Sequence, residues 1–156
     1  MLSGYTTNLA YLNLRGGQLL VSGNLRNSFA ETNREIGAIS IASGATNLWV
    51  GGSYYQRTNA TLIVEITSTS HPPLNVDGVA YLAGTLSVSS NTVEQIGQWD
   101  IIIGDANNDS GSPGLSGSFN TFDASPAGHP ANWSLSYTAD KVILTYTPRG
   151  TLVKCH

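Results

Sequence analysis

L74-N-V-D-G-V-A-Y-L-A-G-T-L-S-V-S89 puts apolar residues on alternate positions and punctuates them with glycine, the pattern of short half-buried strands joined by tight turns. Leu74 and Val76 point one way while Asn75 and Asp77 point the other, Asp77-Gly78 turns the chain, and Leu86 and Val88 resume the alternation after Gly84. Two short strands are expected here. The phrase recurs: L-x-V-x-G stands at Leu19–Gly23, Leu48–Gly52 and Leu74–Gly78, and T-L-x-V at Thr61–Val64 and Thr85–Val88. A repeat of 26 to 29 residues decides the architecture before it says anything about chemistry.

Outward from that stretch the rhythm holds. Ile39 and Ile41, Leu48 and Val50, then Leu62, Val64 and Ile66 each share a face, and His71-Pro72-Pro73 breaks the ladder because proline has no amide hydrogen to donate. Trp99, Ile101 and Ile103 are expected on one side of a strand within Glu94–Gly104, with Asp100 and Ile102 on the other. Ser118–Phe122 reads as a short strand anchored by Phe119, and Trp133–Tyr137 with Val142–Tyr146 as a closing pair around Ala139-Asp140-Lys141. Tyr5–Leu14 alternates more loosely, with Leu9, Tyr11 or Leu12, and Leu14 as candidates for the buried face. Asn27–Ile36 breaks rhythm: Ser28 and Glu31 have capping-box spacing, which fits a two-turn helix as well as a polar loop.

Length and composition narrow the rest. The 156 residues suit one domain with a continuous core. Only 17 residues are charged, while Ser, Thr, Asn and Gly dominate the polar positions, a balance that suits strands and turns better than charged helices. A net charge of −3, with seven scattered basic residues, argues against nucleic acid. No stretch reaches the length of a transmembrane helix, so no membrane insertion is expected, and Met1–Ala10 lacks the pattern of a signal peptide. The single cysteine, Cys155, beside His156, is read as a terminal thiol.

Two all-β architectures fit. In a parallel β-helix, or β-solenoid, each turn of chain lays one strand on each of two or three faces and like residues stack, with the closing pair as a C-terminal capping hairpin. In a β-sandwich the strands pair antiparallel and the repeat is incidental. The repetition favours the solenoid.

The succession L48-W-V-G-G-S-Y, A60-T-L-I-V-E-I, P73-L-N-V-D-G-V-A-Y-L-A-G-T-L-S-V, W99-D-I-I-I, G114-L-S-G-S-F and W133-S-L-S-Y-T-A-D-K-V-I-L-T-Y resembles the repetitive β-solenoid region of bacterial autotransporter passengers and related secreted surface proteins, over Ile39–Thr147. The resemblance implies a right-handed parallel β-helix at the cell surface or outside the cell, serving as stalk, adhesin or filament component. It carries no catalytic residues to transfer. End-to-end self-association and contact with cell-surface glycans are the partners expected.

Chemistry is sparse. Asp109-Ser110-Gly111-Ser112-Pro113 resembles the nucleophile segment of trypsin-like serine proteases, but His71 lacks the setting of a catalytic base and the chain is too short for two barrels. Asp105, Asn107 and Asp109 stand at alternate positions as a weak calcium candidate; Ser110 replaces the glycine and Ser116 the bidentate glutamate of a calcium loop, so no cofactor is expected beyond calcium. Asp77, Asp100 and Asp123 are the carboxylates a polysaccharide-cleaving β-helix would use, yet no arginine accompanies Asp77, and a non-enzymatic role is expected, with carbohydrate binding or cleavage as the alternative. Among the aromatics Trp49, Tyr54, Tyr55, Trp99 and Trp133, either Tyr54 or Tyr55 must face outward. Asn59, Asn108 and Asn132 begin N-x-S/T acceptors.

Overall fold

Strands form wherever branched or aromatic residues alternate with small polar ones, and they end where glycine or an Asn-Gly-Ser cluster lets the chain turn. The structure, a computed structural model, describes residues 7–9, 11–27, 37–67, 71–90, 96–108 and 113–149. In chain order the strands are β1 Thr7–Leu9, β2 Tyr11–Leu14, β3 Gly17–Val21, β4 Leu25–Asn27, β5 Ala38–Ile41, β6 Ala45–Val50, β7 Tyr54–Gln56 and β8 Thr61–Ile66. They continue as β9 Leu74–Val76, β10 Ala80–Leu82, β11 Thr85–Ser90, β12 Gly97–Ile103, β13 Leu115–Gly117, β14 Thr121–Asp123, β15 Trp133–Tyr137 and β16 Lys141–Tyr146, with single 3-10 turns at Ser125–Ala127 and Pro130–Asn132.

The chain is all-β, in three mostly parallel sheets. Successive strands visit them in rotation: β1-β4-β7-β10-β13, β2-β5-β8-β11-β14, and β3-β6-β9-β12, the last extended by β16 and β15. Among the described residues antiparallel pairing, the mark of a sandwich, is confined to β12–β16–β15. The recurring pairs lie in register. Leu19 partners Leu48 and Leu48 partners Leu74, as Val21 partners Val50 and Val50 partners Val76. Thr61–Val64 likewise aligns residue for residue with Thr85–Val88. These columns point into one shared core, where Leu48, Val50, Leu62, Val64, Leu86 and Val88 are fully buried.

The glycine closing each phrase builds a corner. Gly52 N donates to Gly23 O at 3.1 Å, Gly78 N to Gly52 O at 3.0 Å, and Asp105 N to Gly78 O at 2.9 Å, a hydrogen-bonded ladder with no room for a side chain at Gly52 or Gly78. A Cβ at Gly52 would fall 2.8 Å from the Gly23 carbonyl carbon. A second ladder is polar and buried. Asn27 Nδ2 donates to Gln56 Oε1 at 3.2 Å and to Thr61 O at 3.0 Å, Gln56 Nε2 donates to Thr85 O at 2.9 Å, and the Tyr54 hydroxyl donates to Gln56 Oε1. Burial raises the Tyr54 phenol well above its usual range, with the Asn27 hydrogen bond pulling the other way.

Several expectations need correction. The stretch from Leu74 holds three strands, since Ala80 and Leu82 turn inward around the outward Tyr81 as a strand of their own. Phe119 is buried between β13 and β14, at a corner and not within a strand. Tyr11 is 63% exposed, while Leu12 and Leu14 are the half-buried members of β2; the Leu9 side chain lies outside the described residues. On β12 a bulge between Asp100 and Ile102 inserts one residue and reverses the phase, so Trp99, Ile101 and Ile102 are all buried and Ile103 is only half-buried. The helix-or-loop segment 28–36 and residues 150–156, with Cys155, lie outside the described residues.

The end of the stack nearest β13 is covered in part, since β14 has a partner on one side alone among the described residues. β16 pairs with β12, and the β15–β16 turn reaches β13: Ala139 O accepts from Leu115 N at 3.0 Å and Asp140 Oδ1 from Gly114 N at 2.8 Å. Trp99, Trp133 and Tyr146 pack beneath, with ring centroids 5.9 and 4.8 Å apart along that series. At the opposite end β1, β2 and β3 each have a partner on one side alone among the described residues.

Candidate functional site

Two proline residues make the most promising feature. The register that sets Leu48 beside Leu74 leaves residues 71–73 beside the start of β6, yet β9 begins only at Leu74 because neither Pro72 nor Pro73 can donate to the ladder. On the other flank β9 pairs with β12 only at Ile102 and Ile103, although β12 starts at Gly97. The outcome is a notch in the sheet. It is a cleft of about 510 Å³ lined by His71, Pro73, Gln98, Trp99 and Asp100.

His71 is the unusual member, at 6% exposure. Its Nδ1 lies 3.2 Å from the Glu65 carbonyl, a partner that can only accept, so Nδ1 carries the hydrogen and Nε2 keeps a lone pair. Nε2 is buried and has no hydrogen-bond partner among the described residues. Burial lowers the imidazole pKa from 6.5 to about 4, against the opposing pull of the Glu65 carbonyl and the Glu65 charge, so the ring is neutral near pH 7. Across the cleft Asp100 Oδ2 accepts from Lys141 Nζ at 2.7 Å, and both side chains reach solvent. Lys141→Met is therefore expected to cost no more than about 1 kcal/mol in denaturant unfolding.

The other candidates are scattered. Asp77 Oδ1 accepts from Trp49 Nε1 at 2.9 Å and Asp123 Oδ1 from Ser125 N at 2.9 Å; with Asp100 on β12, Asp77 after β9 and Asp123 on β14, the three carboxylates stand in three different settings. In the proposed calcium loop Asp105 is buried with a left-handed backbone (φ 48°), Asn107 is exposed, and Asp109 lies outside the described residues. Among the described residues no group of three or more His, Cys, Asp or Glu is placed to hold a metal ion. The serine-protease-like segment 109–112 also lies outside them. Comparison with protein-family models, with curated proteins and with solved structures returns no match.

Of the neighbouring tyrosines Tyr54 is buried and Tyr55 faces out. Tyr55 stacks on Tyr81 at 4.8 Å and 6°, and the Arg26 guanidinium sits 5.2 Å from the Tyr55 ring, so an outward column runs over β4, β7 and β10. Trp99 and Trp133 are buried and Trp49 is half-buried. Of the three acceptor asparagines, Asn108 is exposed, Asn59 is half-buried, and Asn132 Nδ2 donates to the Tyr146 hydroxyl at 3.4 Å. Sequence reading missed Gln98 and the Arg26–Tyr55–Tyr81 column. Outward residues carry no periodic signal, and only the register places 26, 55 and 81 in one line.

Proposed function

We propose that the chain is a segment of right-handed β-solenoid acting as a structural or adhesive module at a cell surface or outside the cell. The observation that supports this most is the rotation of strands through three parallel sheets with the leucine and valine columns in register. A body built this way is stiff, because each added turn repeats the same pairing and the same core. The sparse charge and the Ser, Thr, Asn and Gly surface agree with that role, as does the resemblance to secreted solenoids.

Five stacked strands at about 4.8 Å spacing make only roughly 20 Å of length, so the described residues reach the length of a stalk only when joined to further turns. We place the joining at the β1–β3 end, where all three strands are edge strands among the described residues, whereas the other end is partly covered by β15 and β16. Two like ends meet about a twofold axis and close as a pair, whereas an open filament needs two complementary ends. Light scattering across a concentration series, with images of the particles, tests this. A reversible dimer of about twice the length is expected; a monomer at the highest concentration reached, or unlimited fibres, would overturn the pairing.

A second reading, carbohydrate binding, is favoured by the outward Arg26–Tyr55–Tyr81 column.

A further inference from the structure

We infer that the outward face of β4, β7, β10 and β13, from Arg26 across Tyr55 and Tyr81 to Ser116, binds a carboxylate-bearing oligosaccharide, with the guanidinium taking the carboxylate and the free face of Tyr81 taking a sugar ring. The inference rests on the adhesive reading and gives it a location. It does not depend on how the ends pair, which light scattering judges separately.

The register builds the site. Arg26 lies beside Tyr55, Tyr55 beside Tyr81 and Tyr81 beside Ser116, one outward residue from each parallel strand. The guanidinium carbon of Arg26 sits 5.2 Å from the centre of the Tyr55 ring, a cation–π distance, and Tyr55 lies flat on Tyr81 at 4.8 Å and 6°. Both faces of Tyr55 are therefore used, and Tyr81 has one face left. That face looks toward β13, where Ser116 is exposed and too small to cover it, and Tyr81 itself is 40% exposed. The guanidinium is held in place without being neutralised: among the described residues no carboxylate lies within ion-pair distance of Arg26, and burial takes in its Nε but neither Nη. A planar fork fixed in advance loses little freedom when it grips a carboxylate through two parallel hydrogen bonds.

Charge and length narrow the ligand. The chain carries a net charge of −3, yet segments 24–27, 53–57, 79–83 and 115–118, which hold these strands, contain Arg26 and Arg57 and no acid. Arg57 is exposed at the corner two residues after Tyr55. Two arginines attract an anion but are too few for a nucleic acid or a densely sulfated chain, whose charges recur at every step. From the guanidinium to the free ring face is two strand spacings, about 10 Å. That is longer than one sugar ring and suits a short uronate chain, in which one residue presents its carboxylate and another lays its C–H face on the tyrosine.

The test is an NMR titration of the full chain at pH 7 with trigalacturonic acid, with its fully methyl-esterified form, which keeps the rings and loses the charge, and with hexaglutamate, which keeps the charge and has no rings. The acid is expected to give saturable shifts at the backbone amides of Arg26, Tyr55, Tyr81 and Ser116, with an affinity that falls as salt is added. Arg26→Gln is expected to weaken it at least about tenfold, the loss of a charge-assisted pair. Tyr81→Ala is expected to weaken it several-fold while Tyr81→Phe keeps it, as a stacking contact requires. Arg15→Gln, which removes an exposed cation beside β2 on another sheet, is expected to leave binding unchanged. The ester and peptide comparisons use the parent chain alone, so they decide whatever the substitutions do to folding. No saturable shifts with the acid, shifts located elsewhere, equal binding of the ester or of hexaglutamate, or an affinity that Arg15→Gln lowers as much as Arg26→Gln would overturn the proposal. So would a Tyr81→Ala protein that binds unchanged.

Discussion

Leu48→Ala is expected to lower the free energy of unfolding by about 2–5 kcal/mol, the range for emptying a fully buried leucine site that cannot collapse. Leu48 has no exposed surface and stands in the middle of its column, with Leu19 on one side and Leu74 on the other. Backbone hydrogen bonds on both flanks hold β6 to β3 and β9, so the neighbours cannot close around the void without breaking ladder pairs. Ile63, on an outward position of β8 and half-buried, is the matched control, and Ile63→Ala is expected to cost under about 1 kcal/mol. Urea unfolding of both variants decides it. Equal losses would mean that the inward columns are not the continuous core drawn here, and a total stability of about 5–15 kcal/mol makes the difference easy to read.

Acid is expected to weaken the protein through His71. The folded state holds the imidazole pKa at about 4 against 6.5 for a free ring, because burial disfavours the charged form. The unfolded chain therefore takes up a proton that the folded chain refuses. Stability from this group is complete above pH 6.5 and drains as the pH falls from there toward 4. Below about 4 both states are protonated and the loss levels off, after a total of about 3 kcal/mol. The groups bearing on the ring are the Glu65 carbonyl, which accepts from Nδ1, and the Glu65 carboxylate, whose charge favours protonation and limits the shift. Denaturant midpoints between pH 7 and pH 4 should fall in the parent chain, and fall less in His71→Asn by the amount this ring contributes. A ring proton titrating near pH 6.5 in the folded protein would remove the effect.

The inward half of the fold was legible and the outward half was not. Leu19, Leu48 and Leu74 share a phrase because they share a column, and selection for one packed interior writes the same residue types at each turn of chain. The Asn27–Gln56 ladder escaped because two buried amides look like loop residues until the register sets them face to face. The phase change on β12 escaped for a different reason. Three consecutive isoleucines, Ile101, Ile102 and Ile103, satisfy either alternation, and only the antiparallel partner β16 places the inserted residue. The cleft was half visible: Pro72-Pro73 announced an interrupted ladder, but that the interruption falls beside a flank of β12 with no strand partner among the described residues is a fact of stacking. The calcium candidate rests on the spacing of Asp105, Asn107 and Asp109, and Asp109 lies outside the described residues.

The reversal at Asp100–Ile102 also bears on how such a chain changes length through gene duplication. Upstream of it every turn repeats its predecessor's pairing direction, so copying one whole repeat between, say, Gln56 and Leu74 would add a layer and leave both extremities as they are. Downstream, β13 and β14 still lie parallel on β10 and β11, but β16 and β15 run against β12 and the corner glycine ladder has ended in Asp105, so a copied repeat would have to part β12 from β16. Descendants of this sequence should therefore differ by whole repeats before Gly97 and hardly at all from there to Tyr146.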